Sequence, residues 1–404
     1  CKNIRKKEVD QKNLMVFFNK KIILKKEKES KILVFENKSL SLKLDKLDHK
    51  SYPSDKINLR YLIKAFFHLL FKRKNKSLKD LYFYYLILDI NPKVAIGEDR
   101  DMRIFNFIKL FPSLKSICYE GGYTFDHQIP ITLFMLKGNV LFNKNKLNKN
   151  LKINKENTDF ELLKNNDDKK NFFSPNIFCV YDKRSKDIYK TVYSSNFYIT
   201  GSIKNNSQKS FKKNYKYDFM FISQFRNSNK LDPLKNRSRM FNNSCLEVIK
   251  LLDEFCKNNN KNYIISLSSL RKDKNKSISL DEEKNFYQSV IGNFNYLNQN
   301  SYELASACKV IVCTYSNLGY ELLARKNKVI FINNLKNYKW HFNKSTISKF
   351  CYSGNDKNKV HSLFNEILCL DELEWEKAIN KDEILMKYDP SNEILTDVTR
   401  KLIK

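Results

Sequence analysis

A chain of 404 residues, 42% hydrophobic and 13% aromatic, carries enough apolar mass for packed cores, which excludes disorder throughout; at roughly 150 residues per domain it has room for two. Its formal charge of +31, from 75 basic against 44 acidic side chains, favours anionic partners. Lys is spread through every segment alongside abundant Asn and Ile, with no helix-turn-helix, zinc-finger spacing or aromatic RNA-binding strand, so no nucleic-acid partner is expected.

Residues 31–35 (KILVF) read as a strand and 59–72 as an amphipathic helix with apolar positions at 59, 62, 66, 69 and 70. A second helix over 81–90 ends at Asn91-Pro92, because the residue before proline is pushed out of the helical region. A strand at 93–97 (KVAIG), a helix at 102–110 and a strand at 116–119 follow. This alternation predicts a doubly wound parallel sheet. Residues 143–171, dominated by Asn, Lys and Asp, read as a polar insertion. Strands resume at 177–180 and 197–200. Beyond Ile203 the polar, basic run 204–216 has only Phe211 and Tyr215 as large apolar side chains, and the domain linker is placed at 203–216.

The first domain is therefore expected over 1–202 and the second over 217–404. In the second, 218–223 (DFMFIS) is a strand leading into Gln224-Phe225-Arg226, followed by a helix at 245–256, a strand at 263–267 and a helix at 282–291. Two short β-branched runs, 309–313 (KVIVC) and 328–332 (KVIFI), suit strands covered on both faces, with a helix at 317–324 between them. A terminal helix starting near residue 392 closes the second domain. The expected fold is α/β, with two Rossmann-like sheets facing a cleft.

The turn before the 317–324 helix is the strongest pointer to chemistry. Thr314, Ser316 and Asn317 precede Gly319, so backbone N–H groups, hydroxyls and the positive end of the helix dipole converge where a diphosphate could sit. Glu321, one turn further, is placed to accept from ribose hydroxyls. The plainer reading is that Ser316 and Asn317 cap a helix and Glu321 faces solvent.

Nine cysteines occur without a CxxC pair or a neighbouring His that would complete a zinc site, and several lie inside apolar strands. They read as reduced core residues of a cytoplasmic protein. No apolar run reaches membrane-spanning length: 61–71 is interrupted by Lys64 and His68, and 80–90 is too short. The start at Cys1 reads as a fragment of a longer record, which leaves room for a signal peptide upstream. An anionic membrane surface suits the charge, at about 1 kcal/mol per basic residue near it; the expected location is cytoplasmic, peripheral on the inner face of the plasma membrane.

Five short motifs in order carry a family resemblance. They are Ile57-Asn58-Leu59, Asn91-Pro92-Lys93-Val94, Ile117-Cys118-Tyr119-Glu120-Gly121-Gly122, Phe221-Ile222-Ser223-Gln224-Phe225-Arg226, and Tyr315-Ser316-Asn317-Leu318-Gly319-Tyr320-Glu321; Tyr388-Asp389-Pro390-Ser391-Asn392 looks similar too. Together they span about nine tenths of the chain, which resembles the surface-carbohydrate (O-antigen and capsule) biosynthesis proteins, glycosyltransferases of the GT-B fold. The resemblance implies a nucleotide-sugar donor bound by the second domain, with Ser223 and Arg226 added to the turn residues, and a saccharide or lipid-linked acceptor on the first. No cofactor is implied, and a divalent cation is not expected to be essential. The sequence departs from the family pattern at Gly97-Glu98-Asp99-Arg100-Asp101, where relatives tend to have a Thr and then Asp-Asn, and at Glu120, where they tend to have Gln.

Transfer to a hydroxyl needs a base and a positive field for the departing diphosphate. Asp99 is the first candidate base and Glu120 the second, because each follows a strand that points into the cleft; Glu98 and His127 complete the set. Glu98, Asp99 and Asp101 could instead hold a divalent cation, or form an acidic turn capping the 102–110 helix. Two other classes compete: a teichoic-acid-type phosphotransferase acting on a CDP-alditol, which should carry a histidine in the Tyr315-Ser316-Asn317 turn, and a non-enzymatic basic adaptor that binds membrane or nucleic acid.

Overall fold

A computed structural model describes residues 21–36, 47–53, 56–72, 77–99, 101–122, 174–190, 193–226, 235–270, 279–314, 316–335, 350–379 and 386–404. His127, Tyr315 and the 143–171 insertion fall outside them. In the first domain the strands are β1 (Lys21–Ile23), β2 (Ile32–Glu36), β3 (Lys50–Pro53), β4 (Lys56–Asn58), β5 (Val94–Glu98), β6 (Lys115–Tyr119), β7 (Ile177–Val180) and β8 (Asn196–Ile199). Its helices are α1 (Leu59–Lys72), α2 (Leu78–Ile90), α3 (Met102–Leu110) and α4 (Lys183–Lys190). Six strands form one all-parallel sheet in the order β3-β2-β5-β6-β7-β8, while β1 and β4 pair separately.

The short helix α5 (Ile203–Asn206) leads into the second domain, made of β9 (Tyr217–Ile222), α6 (Lys235–Asn258), β10 (Tyr263–Ser266), α7 (Leu280–Ile291), α8 (Ser301–Ser306), β11 (Cys308–Cys313), α9 (Asn317–Ala324), β12 (Lys328–Asn333), β13 (Cys351–Ser353), α10 (Lys357–Cys369) and α11 (Glu372–Ile379). Its sheet is also all parallel, ordered β10-β9-β11-β12-β13. Strands covered on both faces must be apolar throughout, and Val310 to Cys313 and Val329 to Ile332 are each fully buried. The expected pair of doubly wound sheets is the architecture found. The elements without a sequence signal are short or polar: β3 carries Lys and Pro at a sheet edge, and α4 buries only Ser185 and Tyr189 among its polar residues.

One assignment needs correction. The terminal helix α12 (Glu393–Ile403), expected within the second domain, returns to the first. Leu395 and Val398 pack against Ile32, Val34, Val94, Ile96, Ile117 and Tyr119 on one face of the first sheet. The apolar stripe of α12 covers this face and not its nearest neighbours in the chain. The chain therefore crosses between domains twice, at 200–206 and at 386–392.

The crossings are bonded to each other. Asn206 Nδ2 donates to Thr200 O (2.8 Å) and Asn392 Oδ1 (3.0 Å), and its Oδ1 accepts from Asp389 N (3.0 Å). Asn392 Nδ2 donates to Ile203 O (3.2 Å) and Ser207 Oγ (2.9 Å). Ser391 and Asn392 both take left-handed backbone angles, with φ of 63° and 54°, to make the turn into α12. Gly201, with φ +73°, sits against the carbonyl of Lys387, where a Cβ would collide with that oxygen. Eight cysteines lie among the described residues; all are free, and all but Cys369 are buried. No helix of the described residues is long and apolar enough to cross a membrane.

Gly201→Ala adds both a strained φ and this collision. It should destabilise the protein by about 2 kcal/mol or more, read as a lowered urea midpoint; an unchanged midpoint would show that the two crossings do not depend on their close approach.

Candidate functional site

In the second sheet β10 lies on one side of β9 and β11 on the other, so the topological switch opens between the ends of β9 and β11. Ser223 and Thr314 stand at those ends. Ser223 is fully buried and its hydroxyl is engaged within the protein: Oγ donates to Glu283 Oε1 and accepts from Tyr287 Oη (2.8 Å) and Phe225 N (3.2 Å). Thr314, also fully buried, donates to Gln224 Oε1 (3.0 Å) and ties the two strand ends together. Both hydroxyls shape the rim of the crevice from below.

Glu283 is the residue that the sequence reading missed. It is fully buried on α7 and, besides Ser223, accepts from Ser268 N (2.8 Å) and Ser269 N (2.7 Å) at the end of β10. One carboxylate thus fixes the carboxyl ends of β9 and β10. Its signal was present in the spacing, since Glu283, Tyr287 and Ile291 recur every four residues and share the buried face of α7.

Helix α9 starts at this switch point. Ser316 has extended backbone at the N-cap, but its side chain makes no capping hydrogen bond. Gly319 N donates to Ser316 O (2.9 Å), and among the described residues no side chain caps α9, so the Asn317 and Leu318 amides, with the dipole behind them, are the groups an anion would meet. Asn317 is exposed and Ser316 buried. Gly319 has a packing role: a Cβ there would lie 2.5 Å from Cys313 Sγ and 3.0 Å from the Phe331 ring, so glycine lets α9 sit close on β11 and β12. Arg226 is exposed beside the crevice, with its guanidinium carbon 4.4 Å from the Phe241 ring centroid and its backbone held by Asn242 at 3.0 and 2.8 Å.

Glu321, read as a ribose acceptor, is buried and occupied. Its carboxylate accepts from Ser202 Oγ (2.7 Å) and Tyr302 Oη (2.5 Å), and its carbonyl accepts from Asn205 Nδ2 (3.1 Å). One turn on, Arg325 donates to Asn205 Oδ1 and O (2.6 Å each), Gln208 O (2.9 Å) and Lys209 O (3.0 Å) while lying between the Tyr302 and Tyr388 rings. In this state the helix that offers its N-terminus to a ligand holds the interdomain crossing with its other side chains.

The first sheet presents carboxylates. Asp99 and Glu120 follow β5 and β6. Asp99 accepts from Gly121 N (3.1 Å) and Tyr189 Oη (2.6 Å); Glu120, only 2% exposed, accepts from Tyr181 N (2.9 Å) and Ser185 Oγ (3.2 Å). Burial pushes the Glu120 carboxyl well above the ordinary glutamate range; repulsion from Asp182 and Asp99 adds to it, against hydrogen bonds from Tyr181 and Ser185. Glu98, at the end of β5, is half-buried, and its carboxylate lies over Gly121 in space that a side chain there would fill. Asp101 turns away, capping α3 through Arg103 N (2.9 Å) and pairing with the Arg103 guanidinium. Of the acidic turn, Asp101 is the cap of α3, buried and paired. Among the described residues no three His, Cys, Asp or Glu side chains converge to hold a metal ion.

These carboxylates face the second domain. Tyr181, between Glu120 and Asp182, packs into the second domain's core and accepts from Lys387 N (3.1 Å). Tyr320 on α9 has its hydroxyl pushed far up by burial, with Cys351 and Cys313 adding to this and Arg184 and Asp182 of the first domain close enough to act on it.

Two parallel Rossmann-like domains, joined by a double crossing and facing each other through their strand ends, define the GT-B fold. The chain belongs to the family described as "putative O-antigen biosynthesis protein", whose model matches residues 150–403. Among solved structures, UDP-GlcNAc 2-epimerase from Neisseria meningitidis bound to UDP-GlcNAc aligns with a TM-score of 0.52 at 10% identity, over 92% of this chain and 100% of that one. MnaA of S. aureus with UDP aligns at 0.50 and 11% identity over 93% and 97%, and CalG4, the calicheamicin glycosyltransferase, at 0.51 and 9% over 93% and 98%. Identities this low speak for fold alone. A search of curated proteins finds no match.

Glu283→Ala leaves the Ser268 and Ser269 N–H groups and the Ser223 hydroxyl without their acceptor, and should cost about 3 kcal/mol or more in a denaturant titration; a loss below about 1 kcal/mol would mean that the strand ends hold without it. For Glu120, a raised folded pKa means stability that is full below the unfolded value and is lost as pH rises through the folded one. Glu120→Gln removes that loss, so its Tm relative to the unaltered protein should rise as pH increases from about 4.5, the ordinary glutamate value. A pH-independent difference would show that Glu120 is no harder to ionise in the fold than out of it.

Proposed function

We propose that the chain is a glycosyltransferase that moves a sugar from a nucleotide-sugar donor to a saccharide or lipid-linked acceptor in the assembly of bacterial surface polysaccharide. The observation that carries the reading is the α9 N-terminus, without a side-chain cap, opening at the switch point of a sheet whose strand ends face a second sheet bearing carboxylates. Family membership supports the pathway, and the UDP and UDP-GlcNAc held by structural neighbours support the donor class.

In this reading the donor diphosphate lies against the α9 amides with Arg226 beside it, where a guanidinium forms paired hydrogen bonds to phosphate oxygens. Glu98 takes the acceptor hydroxyl proton. It is preferred to Asp99 and Glu120 because it is only half-buried, while they are 7 and 2% exposed. As that proton leaves, the acceptor oxygen bonds the anomeric carbon and the bond to the nucleoside diphosphate breaks, its charge stabilised by the helix dipole and Arg226.

The test is a thermal-shift series with UDP, CDP, GDP, TDP and CMP. A nucleotide at a hundred times its Kd should add about 2.7 kcal/mol of stability, and Arg226→Ala should remove most of the shift. Glu98→Gln should keep the shift while lowering sugar transfer by about 10²–10⁴. No response to any nucleotide would sink the reading; conversion of UDP-GlcNAc to an isomer without acceptor would replace it with an epimerase.

A further inference from the structure

Helix α1 is apolar on two faces. Tyr61 and Ala65 are fully buried beneath it, while Ile63, Phe66, Phe67, Leu70 and Phe71 are 45, 52, 52, 57 and 78% exposed. These five recur at i, i+3, i+4, i+7 and i+8, so they form one outward stripe. The aromatic members pair with one another: Phe67 stacks on Phe71 with centroids 6.1 Å apart and planes at 9°, and meets Phe66 edge-on at 6.4 Å. Ile22 and Leu24, 68 and 69% exposed, lie in and just after β1, which packs beside α1. Monomeric soluble proteins rarely leave so large a contiguous apolar surface in water.

The charge of this helix and of the sequence after it identifies what covers the stripe. Helix α1 has no acidic residue, its Arg60 is exposed, its Lys64 is turned to Asp89 of α2 (3.8 Å), and the sequence continues Lys72-Arg73-Lys74-Asn75-Lys76 in a chain of net charge +31. We propose that the outward face of α1 docks the first domain on an anionic lipid surface, with the phenylalanines entering the headgroup boundary and Arg60 meeting lipid phosphates. This is the chemistry of an interfacial helix that lies along a membrane without crossing it. A second copy of the chain fits worse, because a two-fold interface would bring Arg60 toward its own copy on a partner of net charge +31. The inference does not depend on the proposed reaction.

Because any basic protein adheres to anionic vesicles, the test must separate insertion from charge. Co-sedimentation with vesicles of phosphatidylglycerol and phosphatidylcholine should show binding that partly survives about 1 M salt, where screening acts within about 3 Å. Pure phosphatidylcholine should bind far less. Phe66→Ser/Phe67→Ser/Phe71→Ser, all at exposed positions, should weaken binding to the anionic vesicles at least about tenfold, while Leu373→Ser, 70% exposed on α11, should not. The tryptophan emission of Phe67→Trp, taken as a difference from the parent protein, should shift to the blue on anionic vesicles. Equal binding by the triple variant, or no emission shift in a vesicle-bound protein, would overturn the proposal. So would a dimer in solution that the triple variant splits while vesicle binding stays unchanged.

Discussion

The fold depends on α9 gripping the crossing between the domains. Glu321 holds Ser202 and Asn205 from one side chain and one carbonyl, and Arg325 gathers the backbone oxygens of Asn205, Gln208 and Lys209. Charge-assisted bonds of this kind exceed neutral ones in strength, and here they are largely withdrawn from water. The same short helix offers its N-terminus to the crevice and packs through Gly319 on Cys313 and Phe331. Any ligand that pulls α9 or its Glu321 toward the crevice must therefore work against the bonds that set the domain arrangement, which couples occupancy to the approach of the two sheets.

The second domain was the more legible half. Fully covered parallel strands leave an unbroken β-branched run, so β11 and β12 stood out, and the polar turn between them fell where switch-point geometry puts it. Helix α1 was legible as a helix but not in its orientation: Phe66 and Leu70 were counted with the buried stripe, yet they point outward. A helix with apolar side chains on both faces has no single periodic signal from which to choose. Periodicity also cannot show which domain a terminal helix joins, and α12 went to the first sheet through contacts more than 200 residues distant in sequence.

Site residues divided along a similar line. The positions of Ser223, Thr314 and Glu321 at strand ends and helix start were readable; their hydrogen-bond partners were not. Each partner comes from a distant segment: Glu283 for Ser223, Gln224 for Thr314, Ser202 for Glu321. A buried hydroxyl or carboxylate must find such a partner, so burial alone converts an apparent ligand contact into a structural one. The proposal rests instead on Arg226, which is exposed, on α9, which no described side chain caps, and on Glu98, half-buried where Asp99 is buried.

Buried carboxylates gather at the facing strand ends. Glu120 lies buried near Asp99 and Asp182 in the first domain, and Glu283 lies under the β9 and β10 ends in the second. Burying an acid among other acids opposes folding, and an apolar side chain of similar size would serve packing better. The hydrogen bonds from Tyr181, Ser185, Tyr189 and Gly121 offset part of that cost without removing its cause. Buried charge also occurs away from the strand ends, at Lys328 on the start of β12, and Glu283 is satisfied as a tie between strands. Glu120 differs from both: it is a buried acid pressed by two other acids at a strand end facing the second domain, a cost that packing does not explain and that the work of the cleft does.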